Sequence, residues 1–303
     1  MNRRILAVLT GVLALAVVAL PSAAQAKAKA KAPRARYYLA LGDSLAQGMQ
    51  PNVQGVTSVT NQGYADDLFA TYRSKIKGLK LVKLGCGGDT SQSLATGQGN
   101  TTNARLLHCD RKGGSQLSAA ERFLKSHHAK GEVPLITLDI GANDVDGCAA
   151  AANVGACVTA GITAINTYVP KIVSGIKKAA PKGTKFAGIN LYDPVLGGYF
   201  STNSNVKGLA LASPVFLKEV NQSLGTDFTN GGFVTADVAD AFSSYNSTQT
   251  VTWENQQIPV NVATVCAWTW ACQTPPTGPN IHANKNGYQV IANSLQAVIG
   301  RLK

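Results

Sequence analysis

The sequence lacks the patterns that would assign it to several large classes of protein. Neither of the metal-site spacings CxxC and HExxH occurs, so no metal is predicted. Basic residues are not interleaved with aromatic ones, which disfavours a nucleic-acid partner. After residue 20 no segment is long and apolar enough to span a membrane. With 303 residues, 45% of them hydrophobic, the chain can instead bury a sizeable core of its own.

The first 26 residues have the organisation of an export signal. Arg3 and Arg4 precede an apolar run over residues 5–20, and the Ala-Gln-Ala sequence at 24–26 suits signal cleavage. A membrane anchor is the alternative, but the run is short for a span. We therefore expect a signal peptide over residues 1–26 and a secreted mature protein.

A basic leader follows the expected cleavage site. Residues 27–36 contain five Lys or Arg residues alternating with Ala and Pro, which predicts a flexible tail. The net charge of +12 falls to +10 without Arg3 and Arg4. The leader is either simply solvated or loosely attracted to anionic envelope or phospholipid surfaces.

Six cysteines remain after cleavage, an even number that predicts three disulfides in an oxidising compartment. Six cysteines allow 15 pairings. Their clustering along the chain favours local bridges, Cys86 to Cys109, Cys148 to Cys157 and Cys266 to Cys272.

Apolar, β-branched runs alternate with stretches of helical spacing. The predicted strands are 37–41, 79–84, 133–140, 185–190 and 232–237. The predicted helices are 63–75, 115–128, 159–178, 213–228 and 285–302. The Ser-, Thr- and Asn-rich stretch 243–252 is predicted to be a loop. This alternation predicts an α/β fold whose mainly parallel sheet is covered on both faces.

Polar turns follow the first three predicted strands. They are GDSL at 42–45, GGDT at 87–90 and GAND at 141–144. Parallel sheets bind ligands at the carboxyl ends of their strands. We therefore expect the three turns to line one site.

Ser44 and His282 are the candidates for nucleophilic catalysis. A serine hydroxyl attacks only when a base takes its proton, and the chain has four histidines to serve as that base. His127 and His128 lie at a helix end and His108 beside a cysteine, whereas His282 lies in a turn-rich segment before the last helix. We therefore expect His282 to be the base.

Acyl transfer also needs donors for the developing oxyanion. Gly88 can bring its backbone N–H close to a substrate, and Asn143 offers a side-chain amide at a strand end. Taken singly, Gly88 could be an ordinary turn glycine and Asn143 a cap.

Four blocks together resemble the SGNH (GDSL) hydrolase family. They are GDSL at 42–45, GDTS at 88–91, GAND at 141–144 and the histidine block at 282–288. The cysteine pairs and the length also resemble the secreted lipases and phospholipases of actinobacteria in this family. The resemblance implies a flavodoxin-like, three-layer α/β/α sandwich over residues 37–303.

The resemblance also implies a role for each matching residue. Ser44 attacks the ester carbonyl, His282 accepts and returns the proton, and the N–H groups of Ser44 and Gly88 and the Asn143 side chain hold the oxyanion. No metal or organic cofactor is implied.

One position departs from the family pattern. The family places an aspartate three residues before the histidine, and this chain has Pro279 there. Either another carboxylate reaches His282, or a backbone carbonyl accepts its Nδ1–H. We expect the carbonyl of Pro279, because the loop keeps that position beside the ring whatever its side chain.

These features predict a monomeric, secreted hydrolase of acyl or lipid esters that acts through an acyl-enzyme intermediate. A carbohydrate O-acetyl esterase is the alternative among enzymes. A non-catalytic surface-binding protein on the same fold is the alternative outside them, because the acidic triad member is missing.

Overall fold

A computed structural model describes residues 34–98, 109 and 114–302 of the chain. The expected signal peptide at 1–26 and most of the expected leader at 27–36 lie outside the described residues. Within them, no helix is long and apolar enough to cross a membrane.

Each of the five predicted strands is present, with ends that differ from the prediction by at most two residues. In chain order the strands are β1 (Arg36–Gly42), β2 (Gln50–Pro51), β3 (Thr57–Ser58), β4 (Leu79–Lys83), β5 (Leu135–Asp139), β6 (Lys185–Ile189), β7 (Val234–Ala236), β8 (Thr250–Trp253), β9 (Gln256–Pro259), β10 (Thr269–Trp270) and β11 (Asn280–Ala283).

Helices occupy most of the intervening chain. In order they are α1 (Ser44–Gln47), α2 (Tyr64–Arg73), α3 (Ser91–Thr96), α4 (Gln116–Ser126), α5 (Ala142–Val145), α6 (Val154–Ala179), α7 (Ser204–Asn230), α8 (Val238–Ala241), α9 (Val260–Trp268) and α10 (Lys285–Ile299). Two 3₁₀ helices cover Asp146–Ala150 and Pro194–Phe200.

The central sheet has the strand order β4-β1-β5-β6-β7, and all its pairings are parallel. Successive side chains of a strand point to opposite faces. Accordingly, Tyr38 and Ala40 pack into a core with α2 and α10, whereas Leu39 and Leu41 pack into a second core with α4, α6 and α7. The expected three-layer α/β/α sandwich is confirmed.

This topology positions the three polar turns. Strand β1 lies between β4 and β5, so the chain leaves three adjacent strands at one edge of the sheet. The turns at 42–45, 87–90 and 141–144 follow those strands directly. They therefore lie side by side, as expected for a ligand site.

Three disulfides join cysteines that are close in the chain. They are Cys86–Cys109, Cys148–Cys157 and Cys266–Cys272. This is the local pairing that the clustering of the cysteines favours. The last pair belongs to a small third core, built around α9 and apart from the central sheet.

Candidate active site

The turn after β1 presents Ser44 at the start of a short helix. Gly42 has φ of 136°, and a Cβ there would lie 1.9 Å from the carbonyl oxygen of Asp139, so only glycine fits. Asp43 caps α1 by accepting the N–H of Leu45 at 3.0 Å. Ser44 is the first residue of α1 and has no intrahelical acceptor for its N–H. This N–H makes no hydrogen bond to any described residue.

Asp139, at the end of β5, stabilises this turn through hydrogen bonds to its backbone. Its carboxylate accepts the N–H groups of Asp43 at 3.1 Å and Ala46 at 3.2 Å, and also the hydroxyl of Tyr64. Burial and the nearby Asp139 raise the pKa of the Asp43 carboxyl well above its usual range. The two carboxyl groups therefore fix the backbone of the turn from inside the protein.

Gln116 connects this turn to the one after β4. Its Oε1 accepts the N–H of Gly42 at 2.7 Å, and its Nε2 donates to the Gly42 carbonyl at 2.8 Å and the Asp89 carboxylate at 2.9 Å. Gly88, next in the same turn, has φ of 75°. Its N–H makes no hydrogen bond to any described residue.

Asn143 connects the third turn to the other two. Its Nδ2 donates to the Asp89 carbonyl at 3.0 Å and, over a longer 3.3 Å, to the Asp43 carboxyl. The adjacent Asp144 accepts the N–H of Ser91 at 2.8 Å and its hydroxyl at 2.7 Å. The three turns thus form one hydrogen-bonded unit with its donors held in place.

His282 lies on β11, which pairs with β10, and not in an open loop as expected. Its Nδ1 lies 2.7 Å from Oδ1 of Asn280, and its backbone N–H donates to the same oxygen at 3.0 Å. The expectation that the Pro279 carbonyl orients the ring is therefore wrong. Side chains two residues apart on a strand share a face, so Asn280 lies beside the ring.

The orientation of the Asn280 amide is determined on both sides. Its Nδ2 donates to the hydroxyl of Thr57 at 2.9 Å, which leaves Oδ1 facing His282. The backbone N–H of His282 also requires an oxygen at that point. Asn280 therefore accepts the Nδ1–H and leaves Nε2 of the histidine unprotonated.

Ser44, Asn143 and His282 line one pocket, whereas Gly88 is not among its lining residues. The serine hydroxyl and the histidine ring are not hydrogen-bonded to each other. Such bonds are often long in unliganded enzymes and tighten when substrate binds. The apolar wall of the pocket is built mainly from α5, α6 and α7, and includes Val145, Val154, Val158, Leu209, Phe216, Leu217 and Val220.

The pocket changes the acidity of its titratable groups. Burial lowers the pKa of His282 to about 4, so the imidazole is neutral at pH 7 and its unprotonated nitrogen can accept a proton. Burial, together with Asp144, raises the pKa of Asp146 to about 7, and burial raises that of Asp193 to about 6. The site thus favours neutral forms, as expected where water is excluded.

The other described histidines have structural surroundings. His127 stacks on the ring of Phe123 and packs edge-on against Tyr37, with its Nδ1 2.9 Å from the Phe123 carbonyl. His128 contacts the carbonyl of Lys125. Of the histidines that the structure describes, only His282 lines the pocket. His108 lies outside the described residues.

Sequence reasoning missed Asn280, Gln116 and Asp139 as parts of the site. The signal for Asn280 was its spacing of two from His282, which places both on one face of a strand. Gln116 and Asp139 have no signal in the local sequence. They hydrogen-bond to Gly42 and Asp43, which lie 74 and 96 residues earlier in the chain.

Comparison with known proteins supports a single family. The sequence model of the GDSL-like lipase/acylhydrolase family matches residues 38–295. The structure is similar to phospholipase A1 from Streptomyces albidoflavus NA297, with a TM-score of 0.50 and 17% identity over 87% of this chain and 99% of the other. It is also similar to the acetylxylan esterase Axe2 from Geobacillus stearothermophilus, with a TM-score of 0.50 and 12% identity over 90% and 97%. No curated protein matches the sequence significantly. At these identities the two structures establish the fold alone.

Proposed function

The chain belongs to the GDSL-like lipase/acylhydrolase family and is a carboxylic ester hydrolase, and from this we propose that it cleaves acyl esters through a covalent intermediate on Ser44. The observation that carries the proposal is the pocket in which Ser44, His282 and Asn143 meet. It is supported by the 2.7 Å contact that fixes the histidine tautomer.

In the first half-reaction the Ser44 oxygen attacks the ester carbonyl while Nε2 of His282 takes its proton. His282 then gives this proton to the departing alcohol oxygen, and the acyl group stays on Ser44. In the second half-reaction His282 deprotonates a water molecule, whose oxygen attacks the acyl carbon. The bond between that carbon and the Ser44 oxygen then breaks, His282 returns the proton to the Ser44 oxygen, and the acid leaves. The Asn280 amide oxygen holds the ring in place throughout.

The oxyanion is held by three donors. The N–H groups of Ser44 and Gly88 have no acceptor among the described residues, so both are free to bind the developing charge. Asn143 already donates to Asp89 and Asp43. We assign the proton of the longer, 3.3 Å bond to Asp43 as the one that turns to the oxyanion.

The apolar pocket holds the acyl chain. Its walls carry aliphatic and aromatic side chains from α6 and α7, and an alkyl chain is stabilised there by about 0.8 kcal/mol for each buried methylene. An acetyl group would leave most of this wall uncovered. Lipid or other long-chain esters therefore fit the site better than O-acetyl carbohydrates.

Export completes the proposal. A signal peptide at 1–26 would deliver the chain to an oxidising compartment, and three disulfides are compatible with that destination. The basic leader at 27–36 would then favour anionic or phospholipid surfaces.

Hydrolysis of a ladder of esters that differ only in acyl length tests the proposal. We expect kcat/KM to rise from acetyl to medium-length chains, with Ser44→Ala as the inactive control. Phe216→Ala removes an aromatic ring from the apolar wall. It should lower kcat/KM for long-chain esters without lowering it for acetyl esters. Activity confined to acetyl esters would favour the carbohydrate esterase, and hydrolysis of none of the esters would favour a binding protein.

A further inference from the structure

A second groove opens directly beside the catalytic pocket. It shares part of its wall with that pocket, including Asp146, Val195, Leu209 and Ile281. Beyond this shared wall it extends past Trp253 to the segment around the Cys266–Cys272 disulfide. A substrate bound at Ser44 can therefore extend in two directions.

The groove lies on the side of the histidine. Asn280 and Ile281 line it, and they precede His282 directly. In ester cleavage the histidine returns its proton to the alcohol oxygen, so the alcohol part of the ester must lie on that side. The apolar pocket then takes the acyl chain, and the groove takes the alcohol part.

The pocket and the groove together form a cleft whose charged lining residues are acidic, whereas the protein as a whole is basic. The whole chain carries +12, yet none of the described residues that line the pocket or the groove is Lys or Arg. Asp146 and Asp193 lie in the pocket, Asp146 and Glu254 in the groove. Trp253 and Phe200 add aromatic surface to the same groove.

Asp146 occupies the junction between the two spaces. It lines both, and its carboxylate makes no hydrogen bond or ion pair with any described residue. Its oxygens keep some contact with solvent, yet the carboxyl group has lost part of its hydration, which disfavours the charged form. Consistent with this, burial and Asp144 raise its pKa to about 7. A donor or a cation supplied by the substrate would satisfy it.

We propose that Asp146 determines specificity for the alcohol part of the ester, and that the groove takes a cationic alcohol, such as one bearing a quaternary ammonium group, in preference to an anionic one. This inference rests on the proposed function of the catalytic pocket. Of the two carboxylates that line the groove, partly buried Asp146 is screened less than exposed Glu254 at the rim, whose field salt weakens. Trp253 and Phe200 offer ring faces of the kind that attract organic cations.

Three butyrate esters test the inference at pH 8, where Asp146 is ionised. Their alcohols are choline, ethylene glycol and glycolate, which are cationic, neutral and anionic. We expect the wild-type protein to prefer the choline ester over the glycolate ester by at least about tenfold in kcat/KM, since opposite charges attract strongly in a partly buried cleft. Free choline should also inhibit competitively at concentrations where glycolate does not.

Asp146→Asn is the variant that isolates the charge. It should lower the choline-to-glycolate ratio about tenfold, because it slows hydrolysis of the choline ester more than that of the neutral ester, and that of the glycolate ester least. Glu219→Gln is the matched control, because Glu219 is an exposed carboxylate on α7 that lines neither space. It removes the same charge and should leave the ratio unchanged.

The possible failures are distinguishable. A wild-type ratio near one, an unchanged ratio in Asp146→Asn, or an equal loss on all three esters in that variant would overturn the inference while leaving the proposed function intact. No hydrolysis of any of the three esters, or hydrolysis that survives Ser44→Ala, would overturn the proposed function and the inference with it.

Discussion

An amide orients the histidine of this site where the family pattern has a carboxylate. A free asparagine can turn its NH2 group toward the ring and enforce the wrong tautomer, which is how loss of the triad aspartate can cost about 10⁴ in rate. Here Thr57 and the backbone N–H of His282 hold the amide with its oxygen toward Nδ1. The orienting function is thus retained, while the negative charge is not.

Substitution of Asn280 separates orientation from charge. Asn280→Ala should lower kcat by about 10- to 100-fold at little cost to KM, because the ring loses its acceptor. Asn280→Asp keeps the acceptor and adds charge, so it should match or exceed wild type. Thr57→Val, which removes only the hydroxyl that holds the amide, should fall between Asn280→Ala and wild type. Wild-type kcat in Asn280→Ala would show that another group orients His282.

The same pair of residues predicts the pH profile. Burial lowers the pKa of His282 to about 4, and the proposed mechanism uses the neutral imidazole as the base. The acid limb of kcat/KM should therefore have its midpoint near pH 4, with activity rising from there towards pH 6. In Asn280→Asp the new carboxylate favours the charged ring, so the midpoint should move to higher pH. A wild-type midpoint at or above 6.5 would contradict this assignment.

At the scale of elements, the contact between α5 and α6 sets the position of Asn143. Gly161 of α6 lies against this turn, and a Cβ there would be 2.6 Å from both the Asp144 carbonyl and the Val145 side chain. The absence of a side chain at one helical position thus lets the donor-bearing turn approach the sheet edge.

Gly161→Ala should push this turn outward and lower kcat by about 10- to 100-fold, since small displacements of positioned groups are costly. Gly155→Ala in the same helix is the control, because the nearest atom to its Cβ would be 3.8 Å away. That change should be neutral or stabilising, as alanine favours helix over glycine. Equal activity in the two variants would show that the contact does not position Asn143.

The strands of the central sheet could be predicted because buried strands have continuous apolar runs that are rich in β-branched residues. The limits appear where other contacts override local rules. Helix α7 begins at Ser204, nine residues before its predicted start, and runs through Pro214. Proline cannot donate to the Ala210 carbonyl, yet the helix continues through it, with the Ser213 hydroxyl 3.0 Å from that carbonyl and 2.7 Å from the Asp193 carboxylate.

The remaining differences involve strands too short to have a period. The predicted loop at 243–252 contains the start of β8, and His282 lies on a four-residue strand. The sequence cannot show whether the Pro279 carbonyl or the Asn280 side chain accepts the Nδ1–H of His282, because the answer depends on this segment being extended. That Ser44 and Asn143 lie near each other could be predicted, because both follow strands of the central sheet and the carboxyl ends of parallel strands share one edge.

At the scale of the whole molecule, the three disulfides join segments that are close in the chain, and only Cys266–Cys272 lies in a cluster separate from the two central cores. They close loops with sequence separations of 23, 9 and 6 residues. Longer closed loops restrict the unfolded chain more.

Removing Cys86–Cys109 by paired alanine substitution should lower the free energy of unfolding by about 3 kcal/mol. Removing Cys266–Cys272 should lower it by about 2 kcal/mol, because its loop is shorter. Denaturant unfolding of the two double variants measures both values. A free thiol detected in the unfolded wild-type protein would contradict the pairing itself.

If Ser44 is the nucleophile, it becomes acylated during turnover, and this acyl-enzyme intermediate can be trapped. A fluorophosphonate probe or a slowly hydrolysed ester should modify the wild-type protein once, and peptide mapping should place the adduct on the peptide that contains Ser44. His282→Ala should react far more slowly and Ser44→Ala not at all. An adduct on any other residue, or wild-type esterase activity in Ser44→Ala, would contradict the assignment of Ser44 as the nucleophile.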